Sequence, residues 1–170
     1  QNKYTPKDLF KSIEFYKEAT ELDPDFALAY VGLSESTGRL SSFRDIPKQD
    51  YRQLARTYVE KALALDDQLP EAHASLAGFL SMSDYDFSGA EREFQRALEL
   101  NPNYSDGHLW RGQLLSSLGK HGEALAEIRR GMDLDPLSIQ ARSMYGEALF
   151  FSRRYDESIE QLKRVLLLDP

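Results

Sequence analysis

Residues Ser105 to Ser138 read SDGHLWRGQLLSSLGKHGEALAEIRRGMDLDPLS, and this stretch of 34 residues decides the architecture because its landmarks recur at its own length. Pro102, Pro136 and Pro170 fall 34 residues apart, as do Leu100, Leu134 and Leu168, and Arg96, Arg130 and Arg164. Three rows of different chemistry keeping one spacing mark an internal repeat, which takes precedence over local assignment. The unit before is one residue longer, since Leu65 precedes Leu100, and His73 precedes His108, by 35. Farther back, Leu22 and Ala19 lie 43 before Leu65 and Ala62, a nine-residue excess placed most simply at Ser41 to Asp50. That insertion contains Pro47 and polar residues, which suits a surface loop.

Within each unit the apolar residues recur at helical spacing, as in Phe94, Ala97, Leu98 and Leu100, or Ile159, Leu162, Val165 and Leu166. These are second helices of hairpins. Thr5-Pro6-Lys7-Asp8 places an N-cap, a first-turn proline and an acidic third residue in order, and Ser88-Gly89-Ala90-Glu91 reads as a capping box. Asp23-Pro24, Asn101-Pro102, Asp135-Pro136 and Asp169-Pro170 mark ends, because the residue before proline is pushed out of the α region. First helices are expected over Ala27 to Leu40, Glu71 to Met82, Asp106 to Leu118 and Ile139 to Phe151. Each carries a small residue in one row, Ser34, Ala77, Gly112 and Gly146, opposite a second small row, Ala55, Ala90, Ala124 and Ser158. Small residues on both helices let the backbones approach closely.

A first helix with a small residue near its middle, a Gly-containing turn and a second helix closing on Leu-Asp-Pro resembles the tetratricopeptide repeat family. Ser105 to Ser138 is the clearest match, with Gly112, Gly119, Ala124 and Leu134-Asp135-Pro136; Ile139 to Pro170 adds Gly146, Tyr155 and Leu168-Asp169-Pro170. The resemblance implies an all-α helical-hairpin solenoid, a right-handed superhelix with one leading helix and four hairpins. The expected parts of a single array are a lone second helix at 5–24, a repeat at 25–67 with its inserted loop at 41–50, and repeats at 68–102, 103–136 and 137–170. Departures are Asp67 in place of the closing proline, Arg111 and Tyr145 where Leu33 and Leu76 predict an aliphatic residue, and the insertion itself. The stretch from Tyr85 to Tyr104 also looks like repeats of multidomain bacterial signalling proteins, whose arrays sit beside winged-helix, kinase or cyclase domains.

Composition excludes several functions. The chain has 170 residues, 41% hydrophobic and 29% charged, in the range of ordered proteins. No apolar run approaches the ~20 residues of a membrane span, and Gln1 to Leu9 lacks the layout of a secretory signal. Opening at Gln1 and stopping at Pro170, the chain reads as a piece of a longer protein. The absence of cysteine removes disulfides, thiolate nucleophiles and thiolate metal sites together, and leaves the redox compartment open; a cytoplasmic home is the expectation. A net charge of −7 and a pI near 5.0 oppose direct binding of nucleic acid, which needs clustered Lys and Arg.

No residues are arranged for catalysis, and no cofactor or metal is expected. His73 and His108 share one repeat row with Tyr30 and Arg142, so they read as half-buried packing residues, while His121 lies in a turn. Glu91, Glu93, Glu123 and Glu127 read as solvated helix faces near second-helix starts or paired a turn away. Gly107-His108-Leu109-Trp110-Arg111-Gly112 lacks a phosphate-loop lysine, and no strand carries a nucleophile elbow. Phe150 and Phe151 cannot both face one core stripe, so the expectation is either that one of them faces the groove or the next unit, or that they pack against whatever follows Pro170.

The resemblance also implies a binding surface, since first helices line the concave side of such arrays. Its rows here are Leu28, Val31, Glu35 and Arg39; Glu71, Ala74, Gly78 and Met82; Asp106, Leu109, Gln113 and Ser117; and Gln140, Ser143, Glu147 and Phe151. Acidic residues outnumber Arg39 by four to one, and the central row Glu35, Gly78, Gln113, Glu147 lacks the Lys, Arg and Asn with which relatives grip a terminal carboxylate. The expected partner is a protein or peptide segment, neutral or basic, with apolar anchors, and no membrane. Alternatives are a self-association arm through an exposed terminal repeat, or a ligand-sensing regulatory domain of a transcription factor, kinase or cyclase. Trp110 is the one tryptophan and would report binding near the groove.

Overall fold

The computed structural model describes residues 5–43 and 48–168. The helices follow in order as α1 (Pro6–Leu22), α2 (Ala27–Leu40), α3 (Lys48–Leu65), α4 (Pro70–Met82), α5 (Phe87–Leu100), α6 (Ser105–Ser117), α7 (His121–Leu134), α8 (Ile139–Phe151) and α9 (Tyr155–Leu168). No strand occurs among the described residues. The fold is all-α, and the chain divides into two compact units, one ending at Asp86 and one beginning at Phe87. In the first unit α2 packs on α1, α3 and α4; in the second α6 packs on α5, α7 and α8, and α8 on α9.

Local chemistry sets the helix ends. Thr5 caps α1 in a reciprocal capping box with Asp8, behind a proline in the first turn. Asp8 is held below the usual carboxylate range by the Thr5 side-chain and backbone hydrogen bonds. Second helices close with a device that the Asp-Pro spelling only partly announces. Asp23, Asp66, Asn101 and Asp135 each accept a hydrogen bond from the backbone N–H two residues on, at 3.1, 2.9, 3.0 and 3.3 Å. Asp66 therefore makes the turn without the proline that Asp67 replaces. A second row then ties each turn to the next first helix: His73, His108 and Arg142 contact the carbonyls of Asp67, Pro102 and Pro136, six residues back, at 3.0, 3.1 and 2.7 Å.

Two expectations change. Helix α5 begins at Phe87, so Ser88 lies inside the helix and is not its N-cap. Helix α3 begins at Lys48, so the last residues of the expected 41–50 loop are helical; 44–47, including Pro47, and 169–170 lie outside the described residues.

The hairpins close at their small rows. Ser34 is buried and donates to the Ala55 carbonyl at 2.8 Å; in the last hairpin the relation is inverted, with Ser158 of α9 donating to the Gly146 carbonyl at 2.7 Å. Between these, a Cβ placed on Gly112 would sit 2.5 Å from Ile128 and 3.1 Å from the Ala124 carbonyl oxygen. Around the crossings the first unit buries Leu9, Ile13, Leu33 and Leu40, and then Val31, Val59, Ala62 and Ala72. The second buries Leu109, Ile128, Ala141, Tyr145, Ala148 and Leu149.

The turns that follow α4, α6 and α8 pass through the left-handed region at Tyr85 (φ 56), Gly119 (φ 75) and Arg153 (φ 61), one repeat apart. Only glycine adopts this conformation without a Cβ penalty, which is about 1–2 kcal/mol for other residues. Arg153→Gly is expected to raise stability by about 1 kcal/mol and Gly119→Ala to lower it by a similar amount. Urea-unfolding midpoints of the two variants check this, and equal midpoints would remove the strain argument.

Candidate partner-binding face

In each unit two first helices lie side by side, α2 with α4 and α6 with α8. On α2 and α4, Leu28, Arg39 and Met82 are exposed, and Glu35, Glu71 and Gly78 are half-buried. No atom lies within 4 Å of a Cβ placed on Gly78, so a gap opens beside Met82. On α6 and α8, Asp106, Gln113, Ser117, Gln140, Glu147 and Phe151 are exposed, and half-buried Ser143 donates back to the Ile139 carbonyl at 3.0 Å.

Three of the expected face residues turn inward. Val31, Ala74 and Leu109 are 4%, 0% and 1% exposed. All sit three residues after the first expected face residue of their helix, Leu28, Glu71 and Asp106, where the side chain points into the seam with neighbouring helices. Val31 joins Val59, Ala62 and Ala72, and Leu109 fills the space over Gly131, where a Cβ would come within 2.6 Å of it. These side chains support the face and cannot touch a partner. Sequence reasoning missed Met144, half-buried on α8 with Gln140 Nε2 at 3.9 Å from its sulfur. Its i, i+4 spacing from Gln140 was the available signal.

The two departures from an aliphatic row are polar cross-links. Arg111 donates through Nε and Nη2 to Glu91 Oε1 at 3.1 and 2.6 Å, and through Nη1 to Glu127 Oε1 at 2.7 Å; Glu127 Oε2 in turn meets His108 Nδ1 at 2.6 Å. Burial works against the Arg111 cation, but the Glu91 hydrogen bond and the charges of Glu91, Glu127 and Glu123 outweigh it and hold the guanidinium above its ordinary range. Glu91 and Glu127 are thus not solvated faces: they reach across from α5 and α7 to α6. One repeat on, Tyr145 is buried and its hydroxyl accepts from Arg129 Nη2 at 2.7 Å, with that guanidinium 5.5 Å from its ring centroid. Trp110, half-buried, meets Tyr104 edge-on at 6.3 Å. Among the described residues no three His, Asp or Glu side chains are placed to share a metal ion, and no helix is long and apolar enough to cross a membrane.

Residues 93–126 and 139–170 each match a model of the tetratricopeptide repeat family. The transcriptional regulator HilA of Salmonella typhimurium is 26% identical over 158 residues, covering 93% of this chain and 28% of that protein. Small glutamine-rich tetratricopeptide repeat-containing protein 2 of Mycosarcoma maydis is 33% identical over 106 residues, 62% of this chain and 30% of that protein. The chain thus spans less than a third of the length of these relatives. Among solved structures, TTC0263, a thermophilic TPR protein of Thermus thermophilus, superposes with a TM-score of 0.71 at 20% identity, covering 93% of this chain and 81% of its own. YrrB, a TPR protein with an unusual peptide-binding site, superposes at 0.61 with 24% identity, covering 96% of this chain and 79% of its own. These likenesses show a shared fold of helical hairpins.

Arg111→Leu restores the aliphatic residue of its row but leaves half-buried Glu91 without its cation and Glu127 with His108 alone, so it is expected to cost about 1–3 kcal/mol. Adding Glu91→Gln and Glu127→Gln to that variant is expected to recover about half of the loss or more, because the stranded charges go with it. Urea unfolding of the wild type and the two variants checks this, and a triple variant weaker than Arg111→Leu would refute it.

Proposed function

We propose that the chain is a protein-interaction scaffold of the tetratricopeptide repeat family whose exposed first-helix faces hold a neutral or basic peptide segment with apolar anchors. One observation carries the charge preference. The exposed stripe of α6 and α8 presents Asp106, Gln113, Ser117, Gln140, Glu147 and Phe151 without a lysine or arginine, because Arg111 turns to its carboxylates and Arg142 to the Pro136 carbonyl. Glu35 and Glu71 carry the same sign onto α2 and α4, opposed by Arg39. A cation in the segment would meet this field, and an apolar side chain would find Leu28, Met82 or Phe151. The peptide-binding site of YrrB is in keeping with such a role, and the stretch similar to the transcriptional regulator HilA supports reading the chain as a regulatory arm of a larger bacterial protein, for which a cytoplasmic home is our reading. We read the chain as binding neither nucleic acid nor membrane and as performing no chemistry.

A second reading, self-association, is favoured by α9. Leu125 and Met132 of α7 pack against the α8 cluster, and their counterparts one repeat on, Ile159 and Leu166, are exposed together with Leu167. Covering that face with a second copy would make mass depend on concentration.

Affinity capture from lysate with the wild type and a Glu35→Lys/Glu71→Lys/Glu147→Lys variant of unchanged helical circular dichroism tests the scaffold. A protein held by the first and released by the second is expected. Its affinity is expected to fall on the order of 3- to 10-fold between about 0.05 and 0.5 M salt, as the Debye length shortens. Salt-independent binding removes the acidic face, and capture of nothing beyond the chain itself favours self-association, which sedimentation at increasing concentration would show.

A further inference from the structure

We propose that the C-terminal end of α8 forms a receptacle for one cationic side chain, a lysine or arginine of the partner segment, built from Glu147, Phe150 and Phe151 with Tyr155 of α9. This rests on the peptide-binding reading and specifies one contact within it. Glu147, Phe150 and Phe151 are spaced i, i+3 and i+4, which brings a carboxylate and two rings onto neighbouring ground one turn apart. Phe150 lies 5.7 Å from Phe151 and 5.5 Å from Tyr155, at interplanar angles of 78° and 61°. The three rings are 55%, 59% and 51% exposed, so the edge-to-face array leaves ring surface open to solvent. Aromatic faces are the negative parts of their quadrupoles and attract a cation within about 6 Å of the centroid.

Glu147 supplies the formal charge. It is exposed and makes no ion pair among the described residues, and the carbonyl end of α8 adds negative potential of its own. The cations close by do not fill the site. Arg154 is held by Glu157 through two hydrogen bonds of 2.6 and 2.5 Å, which raise its basicity further, and Arg153 stands exposed in the left-handed turn. Arg129, the other cation acting on Glu157, is engaged by the Tyr145 hydroxyl and ring. An apolar ligand would use the rings and gain nothing from Glu147, which separates the two chemistries.

The probe is the blocked tripeptide acetyl-Gly-Arg-Gly-amide, with acetyl-Gly-norleucine-Gly-amide as its uncharged counterpart, titrated into the full chain while the ring resonances of Phe150, Phe151 and Tyr155 are followed by NMR. The arginine peptide is expected to shift these signals saturably and the norleucine peptide to leave them in place. Glu147→Gln and Phe151→Leu, both at exposed positions, are each expected to weaken the arginine peptide about threefold or more. An equal response to norleucine, unchanged binding in Glu147→Gln, or no response would overturn the receptacle. A captured partner released by Glu35→Lys/Glu71→Lys but held fully by Glu147→Gln would leave the scaffold standing and remove this contact alone.

Discussion

Everything in this fold depends on how closely paired helices can cross. Where Ser34 meets Ala55, Gly112 meets Ala124 and Gly146 meets Ser158, the side chains are so small that backbone atoms become the contact surface. At that distance a buried hydroxyl reaches the opposing carbonyl, and it does so from either helix: Ser34 donates from a first helix and Ser158 from a second. The hydrogen bond satisfies a hydroxyl that would otherwise cost about 1–3 kcal/mol to bury. A larger side chain at any of these crossings would separate the helices and empty the apolar layers on either side.

That constraint decides what the outer layers can tolerate. Once the backbones are pinned, the neighbouring row admits quite different chemistry, and Arg111 and Tyr145 stand where other units have leucine. A charged side chain there is stable because the adjoining second helices present matched partners, Glu91 and Glu127 to Arg111 and Arg129 to Tyr145. The array thus keeps its spacing by small residues and varies its adhesive between apolar contact and ion pairing from one repeat to the next.

The same geometry leaves each first helix one narrow stripe facing outward. Residues on either side of it are drawn into the seams, as Val31, Ala74 and Leu109 are, so a partner would meet a sparse line of side chains about one turn apart. The groups placed on it are few: the Glu147 carboxylate on α8, open space at Gly78, and aromatic rings at the end of α8.

The sequence by itself determined the period, the hairpins and the bounds of the first helices to within a residue. These are local consequences of apolar spacing, of Asp and Asn turns and of small residues at a fixed interval, and all are written in neighbouring residues. It also placed Glu35, Arg39, Gln113, Glu147 and Phe151 among side chains that reach solvent. Tertiary structure alone decided which residues of the same helical row turn inward. The direction of Val31 or Leu109 depends on the offset between adjacent helices, and the pairing of Glu91 and Glu127 with Arg111 joins positions 20 and 16 residues distant in the chain. Helical periodicity defines a face to within about one residue in 3.6; only the packing of a neighbouring helix against it selects the buried edge.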